Sequence, residues 1–183
     1  MKNVLVVLGH SNFENSLSNK TIIDNIKDNP NITVRNLDDV SDNYKFNIEA
    51  EQAALSAADV IVLQFPFHWY STPAILKKWF DDVLTFGFAY GPGGDKLAGK
   101  QLVISTTTGG PEDAYKADGA KGHTVEQLLA PVVQTGTFCS MVNAGIVSTS
   151  GQLFIPDMMG DKDEVTAKAK DHSVRLLKLL ETL

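Results

Sequence analysis

The chain has 183 residues, 43% of them hydrophobic and 21% charged, which suits one globular domain over residues 1–183 and excludes a disordered chain. A formal net charge of -6 argues against a nucleic-acid or anionic-membrane partner and points to a small-molecule ligand. Cys139 is the lone cysteine, so an intrachain disulfide and multi-cysteine zinc centres are excluded, and a cytoplasmic location is expected because the first apolar run, ending at Gly9, is too short for an export signal or a membrane span.

Val4 to Leu8 is an unbroken apolar run, the pattern of a parallel strand covered on both faces. The small, polar stretch from Gly9 to Asn19 follows, and then Ile22, Ile23 and Ile26 recur at helical spacing. Ser16 or Ser18 can cap that helix, and hydroxyls with free backbone N–H groups at a helix start can hold a phosphate. Neither GxGxxG nor GxxxxGK[ST] occurs there, which argues against a dinucleotide fingerprint or a P-loop. Asn29-Pro30-Asn31 is a turn, Ile32 to Leu37 alternates like a strand nearer an edge, and the alanines between Ile48 and Ala58 favour a helix.

Asp59 to Gly87 is the most informative stretch. Val60 to Leu63 forms a buried strand that delivers Phe67, His68, Trp69 and Tyr70, bracketed by Pro66 and Pro73, which stiffen the loop. Thr72 is expected to cap the next helix with Pro73 at its first position. That helix carries Ile75, Leu76, Trp79, Phe80, Val83 and Leu84, a stripe wide enough to suggest a share in a subunit interface. Asp81 and Asp82 read as an exposed helix face, and no spacing suggests a metal site.

Gly87 to Gly94 is a glycine-rich loop. The next strand, Leu102 to Thr106, runs into Thr107-Thr108-Gly109-Gly110, where consecutive glycines let backbone N–H groups approach a ligand. From Gly122 a helix bent at Pro131 is expected, with Val125, Leu128, Leu129, Val132 and Val133 on one face. Asn143 to Ser148 makes a fifth strand. A closing helix from Val165 to Leu183 is read with Val174, Leu177 and Leu180 inward and His172 toward solvent. Five alternating strands predict an α/β, doubly wound parallel sheet in the order 2-1-3-4-5, with the loops after strands 1, 3 and 4 meeting at one edge.

QFPFHWYSTPAILKKWFDDVLTFGFAYG (Gln64 to Gly91), GHSNFENSLSN near the start, AEQAALSAAD from Ala50 and STTTGGPEDAY from Ser105 together resemble the flavodoxin-like NAD(P)H:quinone oxidoreductases, a family that includes ancillary flavoproteins of bacterial potassium-efflux systems. The resemblance implies that His10, Ser16, Leu17 and Ser18 surround the phosphate and ribityl chain of a flavin, FMN with FAD as the alternative. It places Phe67, His68, Trp69 and Tyr70 along the isoalloxazine and Thr107, Thr108, Gly109 and Gly110 at its pyrimidine side, with Gln52 at a family position near the cofactor. Tyr115 matches a family tyrosine beside the flavin. The histidine that follows it in relatives falls on Lys121 without a gap, with His123 as a displaced substitute, so Tyr115 and His123 are the catalytic candidates. Phe88 and Tyr90 match a substrate-side loop completed across a homodimer. The implied activity is hydride transfer from NAD(P)H through the flavin to a quinone or similar acceptor by a ping-pong mechanism. The alternatives are a regulatory flavoprotein docked on a membrane transporter and a one-electron carrier.

Overall fold

A computed structural model describes residues 2–183. The strands are β1 (Val4–Leu8), β2 (Ile32–Asn36), β3 (Ser41–Asp42), β4 (Lys45–Phe46), β5 (Val60–Pro66), β6 (Gln101–Thr107) and β7 (Val142–Thr149). The helices are α1 (Leu17–Ile26), α2 (Ile48–Ala57), α3 (Ala74–Val83), α4 (Val125–Leu128), α5 (Ala130–Phe138) and α6 (Lys162–Glu181). Five strands form one parallel sheet in the order β2-β1-β5-β6-β7. With the short β3-β4 hairpin set aside, this is the expected 2-1-3-4-5 order. That hairpin pairs Ser41 with Phe46 and Asp42 with Lys45, and two residues per strand leave too little periodicity to be read in advance.

The unbroken apolar runs of β1 and β5 have a simple cause: both faces of the sheet are covered. Val4, Val6, Leu8, Val60 and Val62 pack with Ile23 and Ile26 of α1 and Leu176 and Leu180 of α6. Leu5, Val7, Ile61, Leu63 and Phe65 pack on the opposite side with Leu55 of α2, Ile75, Leu76 and Trp79 of α3 and Val132 of α5. Each such side chain, fully buried, contributes about 1.5–3 kcal/mol. Gly9 lets β1 end against α3, since a Cβ there would stand 2.6 Å from Leu76 Cβ.

Four local expectations are corrected. Thr72 does not cap α3; Pro73 occupies the N-cap position with no side-chain cap bond, the pyrrolidine having fixed the entry angle by itself. The helix expected to bend at Pro131 is broken into α4 and α5 at Leu129, because Pro131 has no N–H for the Gln127 carbonyl. Ile75, Leu76, Trp79, Phe80 and Val83 are all buried within this chain, so the apolar stripe of α3 is consumed by its own core. On α6, Leu180 is buried and Leu177 packs on the core as expected, but Val174 is 63% exposed whereas His172 is fully buried, where it finds hydroxyl partners on β6 and β7.

Candidate functional site

The carboxyl ends of β1, β5, β6 and β7 meet at one edge of the sheet, and backbone hydrogen bonds tie the departing loops side by side. Gly9 N–H donates to Gln64 O at 2.9 Å, Phe67 N–H to Thr107 O at 2.8 Å, and Thr108 N–H to Thr149 O at 2.9 Å. Gln152 N–H returns to Thr108 O at 2.9 Å. Between the loops lies a pocket of about 390 Å³.

One end of the pocket is the start of α1. Ser16 is the N-cap and its Oγ accepts from the Asn19 backbone N–H at 3.2 Å. The helix start leaves the Leu17 and Ser18 N–H groups without intrahelical acceptors, which with the helix dipole favours an anion. His10, Ser16, Leu17 and Ser18 line the pocket. His10 Nδ1 accepts from the Asn12 N–H at 3.0 Å. Burial, reinforced by His68, lowers its pKa from 6.5 to about 4, so the ring is neutral at neutral pH with its hydrogen on Nε2. Burial also lowers the pKa of His68.

The wall from β5 is built on a tight hairpin. His68 and Ser71 exchange two backbone hydrogen bonds of 3.0 Å, while Trp69 and Tyr70 take φ of 49° and 63°, the pattern of a type I′ turn. Phe67 and His68 line the pocket. Trp69, at 94% exposed, stands on the tip of the turn, and Tyr70 packs edge-on to Phe67 at 6.4 Å. Thr107, Thr108 and Gly109 form the facing wall. Gly110 lies just beyond, close enough to Tyr115 that a Cβ on the glycine would sit 3.2 Å from Tyr115 Cε2.

Tyr115 stacks edge-on to Phe67 at 6.3 Å. Of the two residues competing for the family histidine, it is Lys121 that reaches the aromatic loop, its Nζ 3.3 Å from Tyr70 Oη and 5.7 Å from the ring centre. His123 is exposed and turned to the Lys121 carbonyl at 3.3 Å, away from the pocket lining. Phe88 is half-buried against the core. Tyr90 packs on Phe138 at 5.2 Å beside a separate groove of about 390 Å³ between α3 and α5. Gln52 spends its amide on Val83 O and Thr85 Oγ1, at 2.9 and 3.0 Å, which ties α2 to the end of α3.

Three contributors escaped the sequence reading. Asn19 bonds to Thr107 Oγ1 at 3.2 Å and Gln64 Nε2 to Asn19 Oδ1 at 2.8 Å; Asn19 closes a stretch already crowded with polar residues and Gln64 ends an apolar run, and in neither place does a lone amide carry a motif. Gln152, after β7, lines the pocket, and both of its side-chain amide atoms are buried without a hydrogen-bond partner. A buried, unpaired amide costs about 1–3 kcal/mol, and a ligand with both donors and acceptors would satisfy it. The polyol and pyrimidine parts of FMN meet that need, and the α1 start meets that of a phosphate. A larger cleft of about 830 Å³ opens between the Tyr115 segment and α6. On its α6 side the charges pair with one another, Lys168 with Glu164 at 2.6 Å and Arg175 with Asp171 at 2.8 Å. Among the described residues no three His, Cys, Asp or Glu side chains are grouped to hold a metal, and no helix is long and apolar enough to cross a membrane.

A family model described by its flavodoxin-like fold matches residues 2–175. The chain belongs to that flavodoxin-like family. The flavodoxin-like chain is 42% identical over 141 residues to the uncharacterised NAD(P)H oxidoreductase YrkL of Bacillus subtilis, covering 77% of this chain and 80% of that one. It is 41% identical over 138 residues to the glutathione-regulated potassium-efflux system ancillary protein KefG of Cronobacter sakazakii, covering 75% of each. The solved structure of general stress protein 14 of Treponema denticola in complex with FMN superposes with a TM-score of 0.86 at 31% identity, over 97% of this chain and 99% of that one.

Proposed function

We propose that the protein is an FMN-dependent NAD(P)H oxidoreductase that reduces a quinone or similar planar acceptor by two electrons in a ping-pong cycle. The observation that carries this reading is the pocket itself: four strand-end loops enclose a helix start suited to a phosphate and the unpaired amide of Gln152. The names of YrkL and of the FMN-bound general stress protein 14 support it.

In this reading Ser16, Leu17 and Ser18 hold the phosphate with His10 Nε2–H beside them, Gln152 meets the polyol or the ring edge, and Phe67, His68 and the Thr107–Gly110 segment flank the ring. A bound flavin supplies the hydride acceptor and donor that no amino-acid side chain provides. The chain contributes position and electrostatics. Backbone N–H groups at Gly109 and Gly110 and the Tyr115 hydroxyl stabilise negative charge growing at the pyrimidine side. Lys121, held at Tyr70, adds a positive charge at the rim, and His123 is the more distant candidate for proton delivery. Phe88 and Tyr90 would complete an acceptor site contributed by a second copy of the chain. The exposed rings of Phe86 and Phe138, 66% and 63% accessible, support a homodimer through that face.

The test is initial-rate kinetics with NADH or NADPH and a soluble quinone after FMN loading. Parallel double-reciprocal lines support the cycle, and intersecting lines contradict it. The likeness to KefG favours a second reading, a regulatory flavoprotein that docks on a potassium-efflux transporter. Co-purification with such a transporter and a change in efflux on deletion support it, and full quinone turnover by the isolated protein weakens it.

A further inference from the structure

His172 has no place in the chemistry just described, yet it is fully buried on α6 beneath the sheet. Its Nε2 is 2.7 Å from Ser105 Oγ, which is 2.6 Å from Gln64 Oε1. Gln64 Nε2 then donates to Asn19 Oδ1 at 2.8 Å, and Asn19 Nδ2 reaches Thr107 Oγ1 at 3.2 Å and Ser16 Oγ at 3.4 Å. On its other side, His172 Nδ1 is 2.8 Å from Thr149 Oγ1, which receives Arg175 Nη2 at 2.5 Å. The residues form one chain from Arg175 to the pocket.

Such a chain can run in two senses, and counting hydrogens separates them. Gln64 Oε1 only accepts, so Ser105 spends its single hydrogen there and can only receive one from His172 Nε2. The neutral ring then accepts at Nδ1 from Thr149, whose oxygen receives Arg175. The amides of Gln64 and Asn19 follow in the same direction. Ser16 and Thr107 thus act as acceptors toward Asn19 and turn their own hydroxyl hydrogens elsewhere, and both line the pocket. In the opposite sense the two hydroxyls would spend their hydrogens on Asn19 and offer lone pairs to the pocket, which repels an anion.

We propose that His172 is a positioning residue for the anionic end of the pocket: through Ser105, Gln64 and Asn19 it fixes the sense of the chain so that Ser16 presents its hydrogen to the phosphate of FMN. The inference rests on the reading that this pocket holds FMN. Burial supports it by lowering the pKa of His172 to about 3, with a further lowering from Arg175 and a partial offset from Asp171, so that the ring stays neutral and directional.

The test measures the affinities of FMN and of riboflavin, which lacks the phosphate, for the wild type and for Ser105→Ala, His172→Phe and His172→Gln, alongside 15N NMR of the wild-type imidazoles. Loss of one charge-assisted hydrogen bond weakens FMN binding about tenfold in Ser105→Ala and His172→Phe, while riboflavin changes by no more than about twofold. His172→Gln, which keeps an N–H where Nε2 was, recovers most of the difference. The NMR spectrum shows the Nε2–H tautomer for His172 even if a variant fails to fold. Equal losses for both flavins, no loss for either, or an Nδ1–H tautomer would overturn the proposal. A wild type that takes up no FMN would overturn the cofactor reading itself, and this inference with it.

Discussion

The Asn12 backbone N–H donates to His10 Nδ1 across 3.0 Å, and that bond decides which face of the imidazole the pocket receives. With Nδ1 engaged and the pKa lowered to about 4 by burial and His68, the ring offers Nε2–H as a neutral donor. His10→Ala is expected to weaken FMN binding about tenfold, the value of one hydrogen bond to a charged group. His10→Gln, which preserves a donor, is expected to lose much less. Isothermal titration of the apoprotein with FMN measures both.

His172 makes stability sensitive to acid. Its pKa falls from 6.5 to about 3 on folding, chiefly through burial. Between those values the unfolded chain binds a proton that the folded chain refuses, so stability falls as pH drops through the window and is unaffected above it. His10 adds to the same loss down to about pH 4. His172→Gln is expected to reduce the slope of unfolding free energy against pH by about 1.4 kcal/mol per pH unit around pH 5. Urea titrations from pH 7 to pH 4 measure this slope.

Trp69 holds a left-handed φ of 49° while its side chain is 94% exposed. A bulky residue there costs about 1 kcal/mol or more and gains little from packing. Trp69→Gly is expected to raise the melting temperature of the apoprotein by about 2–4 °C. If Trp69 lies along the isoalloxazine, as the family resemblance implies, the same change lowers FMN retention. Opposite signs for stability and binding, read by calorimetry and by flavin content, would mark the tryptophan as kept for the ligand.

Glu51 is buried at 1% exposure and serves two neighbours. Its carboxylate takes Arg35 of β2 at 2.6 Å and the Trp79 indole N–H of α3 at 3.0 Å. Glu51→Ala leaves the half-buried guanidinium and the indole unpaired, and a loss of about 3–5 kcal/mol is expected. Chemical denaturation measures it. Arg35 and Glu51 belong to the scaffold, so FMN affinity in a variant that still folds is expected to stay within about twofold of the wild type.

Tyr115 contacts both Phe67 and the Gly110 segment. Tyr115→Phe removes only the hydroxyl, so FMN content is expected to persist while reduction by NAD(P)H slows at least about tenfold. Stopped-flow reduction at the wild-type rate would remove the hydroxyl from the mechanism.

The sheet was legible because β1 and β5 are buried on both faces and therefore read as continuous apolar runs, and because Pro66, Pro73 and Gly109-Gly110 punctuate the loops. That Ser16 and Ser18 stand at the start of α1 beside the pocket was legible for a similar local reason: serines at a helix start have a physical function that depends only on neighbouring sequence. His172 was misread because its partners, Ser105 and Thr149, lie far away in sequence and appear only when α6 docks. Gln152 carried no signal at all, since an amide left without a partner at the pocket wall is visible only once the chain is folded. Pro131 announced a distortion but not its form. Choosing between Lys121 and His123 depended on how one loop folds back on Tyr70, and spacing does not encode that.

The most direct measurement is the absorption spectrum of the purified protein after incubation with FMN and removal of excess, followed by mass spectrometry of the released chromophore. The expected result is a yellow protein carrying one FMN per chain. A colourless protein, folded and yet unable to retain FMN, would contradict the assignment of the strand-end pocket.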